Sequence, residues 1–192
     1  MKPYQDLWCN GKALASGYRE CADRYEIVRS FCATRLPARF TVCDVGANMC
    51  YFGLRLVEDF PGCTVMAFEF DHFQMRAEHV KRSDATGRLL LFNRKLSAAD
   101  VRCLGAIHRF ELVLALSVIH HLPGDHAEWM LALRALGKNL IAEFAGEDNP
   151  SRVALRKGYA VPADAVVLGH GNSHLKKTQR PIVVMSVGSA EA

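Results

Sequence analysis

Apolar and polar positions are organised in blocks along most of this chain. Apolar runs of five to seven residues recur, and segments whose apolar residues return every three or four positions lie between them. The runs read as buried strands and the spaced segments as helices. Strands are expected at 41–45, 64–70, 88–92, 110–116 and 139–144. Helices are expected at 51–59, 73–82, 98–104 and 127–136, with a short one near 152–157. Phe60-Pro61-Gly62 stops the first of these helices. Ahead of the first strand, Tyr25, Ile27, Val28 and Phe31 have helical spacing within 19–35. Residues 1–18 are polar and aromatic, with Asn10-Gly11 as a turn signal.

Alternating strands and helices predict a doubly wound α/β fold on a mostly parallel sheet. The tail breaks the alternation. Residues 165–168 and 182–187 are strand-like, and the polar loop between them, rich in Gly, His and Lys, has no room for a helix. Strands joined that closely pair antiparallel. The expected fold is therefore a Rossmann-like seven-stranded sheet, mostly parallel, with a C-terminal antiparallel hairpin. Residues 1–39 are expected to form an N-terminal lid and helix packed on a core of residues 40–192, one domain in all.

Composition narrows the class. Half of the 192 residues are hydrophobic, enough for a full core. The net charge of +4 comes without a dense Lys/Arg tract, so it allows an anionic substrate and does not call for nucleic acid. Seven cysteines, an odd number with no Cys-x-x-Cys, read as reduced thiols and a cytoplasmic protein. The start Met-Lys-Pro-Tyr-Gln-Asp lacks a signal peptide's apolar core. The nearly apolar stretch around 112–119 is too short to span a bilayer, so no membrane insertion is expected.

The candidate chemistry collects at strand ends. Asp44 ends the first expected strand, and Gly46 allows a tight turn with close backbone approach to a ligand. Asn48 and Cys50 stand where glycine is common in such turns; Asn tolerates left-handed angles and Cys is small. This is the layout of a nucleotide-type cofactor site. Glu69 ends the second strand, 25 residues after Asp44, at a spacing that suits ribose hydroxyls. Asp71 would face the same side of a strand, so the pattern alone leaves the two acids open, with Glu69 preferred. Leu96, in the loop after the third strand, is a candidate for packing on a base. Leu116 and Ser117 end the fourth strand, and His120 and His121 follow. The two histidines are expected to point in different directions, so that at most one meets an acceptor as general base or anion contact. Glu143 ends the fifth strand. The tail adds His170, Ser173, His174, Lys176, Lys177 and Arg180, of which His174 and Arg180 are the preferred anion contacts. Near the start, Arg24 and Tyr25 belong to the helix before the first strand, and Tyr4, Trp8 and Arg19 to a lid. No complementary Cys/His/carboxylate spacing suggests a metal.

Taken together, these residues resemble the class I S-adenosylmethionine-dependent methyltransferases. The resemblance rests on Cys-Asp-Val-Gly-Ala-Asn at 43–48, Glu69, Leu-Ala-Leu-Ser-Val-Ile-His-His-Leu at 114–122, Ile-Ala-Glu-Phe-Ala at 141–145 and the terminal hairpin. In that family the last strand inserts antiparallel beside the fifth. The resemblance implies S-adenosylmethionine held by Asp44, Gly46, Asn48, Glu69, Leu96, Leu116, Ser117 and Arg24. His120, His121, Glu143, His174 and Arg180 would then face the acceptor. A closer resemblance, in 19–25, 117–122 and 168–181, is to the methyltransferase half of bacterial O-antigen chain-terminating kinase–methyltransferases. Those enzymes methylate a phosphate on a glycan end. That implies an anionic or carbohydrate-type oxygen acceptor, possibly large. Two other readings stay open at this point. One is an NAD-dependent oxidoreductase, opposed by the missing Gly-x-Gly-x-x-Gly. The other is a non-catalytic RNA-binding module with a degenerate cofactor turn.

Overall fold

The computed structural model describes residues 2–144, 161–172 and 179–186. The helix expected near 152–157 lies outside the described residues, as do Ser173, His174, Lys176 and Lys177. The chain falls into two compact units, Met1–Lys95 and Leu96–Ala192. Among the described residues seven strands make the main sheet, and two more make a separate hairpin.

The first unit opens with that hairpin, β1 (Leu7–Cys9) and β2 (Lys12–Ala15). Asn10 and Gly11 turn it with φ of 49° and 74°, the left-handed pair that suits the twist of a two-residue hairpin. Helix α1 (Ala22–Arg35) buries Arg24, Tyr25, Val28, Phe31 and Cys32, a single face at helical spacing. Then come β3 (Phe40–Val45), α2 (Tyr51–Asp59), β4 (Cys63–Glu69), α3 (Phe73–Lys81) and β5 (Leu89–Asn93). Their strands lie in the order β5-β4-β3, all parallel. In this register Asp44 lies beside Ala67, and Glu69 beside Asn93, so both acids sit at C-terminal strand ends. The hairpin is fastened to α2 through aromatic contacts. Trp8 meets Tyr51 edge-on at 6.0 Å, and the Arg55 guanidinium lies 4.4 Å from the Trp8 ring and 3.8 Å from that of Tyr25.

The second unit holds α4 (Ala98–Ile107), β6 (Phe110–Leu116), α5 (His126–Leu136), β7 (Gly137–Glu143), β8 (Val166–Asn172) and β9 (Gln179–Ser186). The order is β6-β7-β9-β8; β6 and β7 are parallel, and β9 and β8 run antiparallel. The expected terminal hairpin is thus present. Both its strands are longer than hydropathy suggested. Gly169 to Asn172, read as loop, pair with β9, His170 opposite Pro181 and Gly171 opposite Arg180. An edge strand needs backbone pairing but no apolar face, so its polar end carries no hydrophobic signal. Helix α4 also runs three residues past its expected end. It starts from a capping box in which Ser97 Oγ accepts from Asp100 N at 3.1 Å and Asp100 accepts from Ser97 N at 2.8 Å. Gly105 lets α4 approach α5 closely, because a Cβ there would lie 3.3 Å from the Ala135 carbonyl oxygen. Among the described residues no helix is long and apolar enough to cross a membrane.

Candidate active site

In the first unit the site begins at the turn between β3 and α2. Gly46, Asn48 and Cys50 all have left-handed backbones, with φ of 73°, 51° and 57°. Two of the three carry side chains, so the turn needs outside support. Its amides supply it. Gly46 N and Ala47 N donate to the Phe68 carbonyl at 2.9 and 3.1 Å, and Cys50 N donates to Ala47 O at 2.9 Å. Asn48 N donates to Glu69 Oε2 at 3.0 Å. Met49 N donates to Gln5 Oε1 at 3.1 Å and to Asn48 Oδ1 at 3.0 Å. The five amides of the turn are therefore engaged by acceptors within the unit.

Glu69 is buried and heavily engaged. Its Oε1 accepts from the amides of Phe70 and Asp71 at 2.8 and 3.1 Å. Its Oε2 lies 2.8 Å from Arg76 Nη1 as an ion pair, both side chains less than a tenth exposed. Asp71, the competing acid, is exposed and lies 3.6 Å from its neighbour His72. Asp44 is different. It is only 3% exposed, and its Oδ2 makes no hydrogen bond. Burial, then the charge of Glu69, push its pKa up to about 7. Folding thus favours the protonated form. The stability this contributes is full in acid, below the ordinary carboxylate range, and is lost as pH rises through 7.

Arg24 is buried in α1. Its Nε and Nη2 donate to the Glu20 carbonyl at 3.2 Å, and its guanidinium lies 5.3 Å from the Phe52 ring. Tyr25, fully buried, donates its hydroxyl proton to Asp59 at the end of α2 at 2.7 Å. Arg19 Nη1 donates to the Tyr4 hydroxyl at 3.2 Å. Three residues that sequence reasoning missed lie close to this turn and its acids. Gln5 reaches Met49, Arg76 pairs with Glu69, and Phe70 follows Glu69 with half its surface exposed. Arg76 had a signal: it shares the buried face of α3 with Val80, four residues on. Gln5 had none, because only tertiary contact defines it.

In the second unit Leu96 and Leu116 are buried. Leu116 pairs with Glu143 on β7, which pairs with Ile182 on β9. Glu143 is fully buried. Ser117 follows β6 with a left-handed backbone, φ 59°. Its hydroxyl accepts from Arg180 Nη1 at 3.0 Å, and the arginine is 2% exposed. The structure thus brings Ser117 to Arg180 at the end of β6. His120 and His121 form the 3-10 turn that follows, Ile119–His121. Here the expectation of diverging histidines is overturned. Their rings pack on one another, 4.0 Å between centroids at 43°. Adjacent Cβ atoms diverge on a tight turn, but rotation about the side-chain bonds folds both rings to one side. His120 is half-buried and His121 exposed. The turn is backed by His126, whose buried Nε2 lies 3.1 Å from the Ile119 carbonyl.

No protein-family model and no curated protein matches this sequence. Solved structures do. The bifunctional kinase-methyltransferase WbdD superposes with a TM-score of 0.73 at 19% identity, over 96% of this chain and 44% of that one. The N-terminal domain of EvdMO1, solved with SAH bound, gives 0.62 at 15% identity over 95% of this chain and 90% of that one. An O-methyltransferase family protein from Burkholderia thailandensis gives 0.60 at 15% identity over 89% of this chain and 57% of that one. This chain therefore spans less than half the length of the kinase-methyltransferase. At these identities the likeness is one of fold, a Rossmann-like α/β sheet with a C-terminal antiparallel hairpin.

Proposed function

We propose that this chain is an enzyme that binds S-adenosylmethionine and transfers its methyl group to an oxygen atom. The observation that carries the cofactor is Asp44. A carboxylate buried at a strand end with an unanswered oxygen calls for a cation. The ammonium of the cofactor's amino-acid end is such a group. Glu69 would meet the ribose hydroxyls in exchange for one of its present donors, and the exposed Phe70 ring beside it offers a face for the adenine. The left-handed turn at Gly46–Cys50 keeps the backbone low enough for a ligand to lie across it. When bound, S-adenosylmethionine supplies an activated methyl on a sulfonium leaving group. The protein's own task is then to hold the acceptor in line and exclude water, which contributes roughly 7–11 kcal/mol in favourable cases.

The acceptor we infer is a phosphate or hydroxyl oxygen on a glycan-type or other anionic molecule. The accessible His121 and half-buried His120 support it. An ionised phosphate oxygen needs no base, only cationic or hydrogen-bonding contacts. A hydroxyl needs its proton removed, for which the histidine pair is the candidate. The resemblance of 19–25, 117–122 and 168–181 to the chain-terminating kinase–methyltransferases favours the phosphate. A labelled-methyl transfer assay on glycan, lipid, RNA, protein and small-molecule fractions tests the reading. Label in a phosphorylated or hydroxylated glycan supports it. Label confined to protein or RNA nitrogen contradicts it.

A further inference from the structure

We propose that Gln5 is a positioning residue of the cofactor site, supplying from the N-terminal segment the support that glycines supply in other turns. The proposal rests on the cofactor reading above. Asn48 and Cys50 hold backbone angles that L side chains rarely adopt, and Met49 lies between them. A turn of this kind persists only when its surroundings over-determine it. Glu69 does so from β4 by accepting the Asn48 amide. Gln5 does so from the opposite end of the unit's sequence by accepting the Met49 amide, 44 residues away.

Gln5 is itself fixed. The Pro3 and Tyr4 carbonyls accept from the amides of Tyr18 and Arg19, each at 2.9 Å. Gln5 and Arg19 form a parallel bridge. Asp6 accepts from Gly17 N at 2.8 Å and from Cys21 N at 2.9 Å. The two strips lie so close that a Cβ at Gly17 would fall 2.3 Å from the Gln5 carbonyl carbon. Residues 3–6 are thus pinned along 17–21, and the buried Gln5 amide, 6% exposed, is delivered to the turn. Neither Gln5 nor its neighbours need touch the cofactor; the residue acts through Met49.

The test uses the full chain and two readouts, amide hydrogen exchange at Met49 and calorimetric affinity for S-adenosylhomocysteine. Gln5→Met keeps the length of the side chain and removes the acceptor. Met49 N then keeps only Asn48 Oδ1 as acceptor, so its exchange should accelerate selectively, and affinity should fall about 3- to 10-fold, as for the loss of one buried hydrogen bond. Gln5→Glu keeps an acceptor oxygen on the same stem and should keep Met49 protected. If Gln5→Met does not fold, Gln5→Asn, one methylene short, should show the same selective loss. Unchanged protection at Met49 overturns the proposal. So does exchange that accelerates equally throughout β3 and α2, which marks a residue of general stability only. A wild-type protein that does not bind S-adenosylhomocysteine overturns the cofactor reading and this residue's part in it, while Met49 exchange still decides whether the clamp exists.

Discussion

The turn after β3 and the turn after β6 both leave a buried strand through left-handed residues, Gly46, Asn48 and Cys50 in the first and Ser117 in the second. They are held by different means. The first is tied through its main chain, each amide from Gly46 to Cys50 donating to an acceptor in its own unit. The second is tied side chain to side chain, Arg180 to the Ser117 hydroxyl. Just before the first turn lies a buried carboxylate with one oxygen that accepts no hydrogen bond, Asp44. Beyond the second stands an accessible ring pair, His120 and His121. The contrast separates two demands. A seat for a small charged ligand has to keep one shape. A face that meets an acceptor has to keep its reactive side chains reachable.

Substitutions should break the two turns unequally. Glu69→Ala strips three amides of their acceptor and leaves the buried Arg76 without its ion-pair partner. We expect a loss of about 3–5 kcal/mol in urea unfolding, with S-adenosylhomocysteine binding abolished. Arg180→Met leaves the Ser117 hydroxyl without this donor and should cost about 1–3 kcal/mol. Ser117→Gly, which takes positive φ without strain, should cost less than Arg180→Met in the same unfolding experiment. Cys50→Gly exchanges buried packing for relief of a left-handed backbone and should change stability by under about 1 kcal/mol, with cofactor affinity equal or slightly higher. His121→Ala, at an exposed position, should stay within about 0.5 kcal/mol of wild type. Its turnover decides the acceptor: lost for a hydroxyl, retained for an ionised phosphate.

Much of this was legible because the main chain and the hydrophobic pattern agree. Helix α2 is legible at its observed bounds because Phe52, Leu54, Leu56 and Val57 lie along one broad buried side, and Pro61 forbids continuation. Strand β6 is apolar at every position but Glu111 and is buried along nearly all its length. The small hairpin was visible only at its Asn10-Gly11 turn, because all four residues of β2 are exposed and carry no alternation. Asp44 and Glu69 could be placed at strand ends by spacing. That Asp44 is unanswered while Glu69 is crowded depends on Arg76 and on the amides around it, which no local pattern encodes. The histidine pair was found, but its geometry was misread, because ring direction depends on side-chain torsions and not on backbone phase.

Asp44 is the residue expected to receive the cofactor's cationic end. Calorimetric titration of S-adenosylhomocysteine into wild type and Asp44→Asn at pH 6 and pH 8 tests it directly. With a folded-state pKa near 7, Asp44 is mainly neutral at the lower pH and mainly charged at the higher. Wild-type affinity should rise about tenfold between them, while Asp44→Asn should bind weakly at both and gain stability at pH 8, where it no longer buries an unanswered charge. Equal, pH-independent affinity in the two proteins, or no binding by wild type, would rule out this role for Asp44.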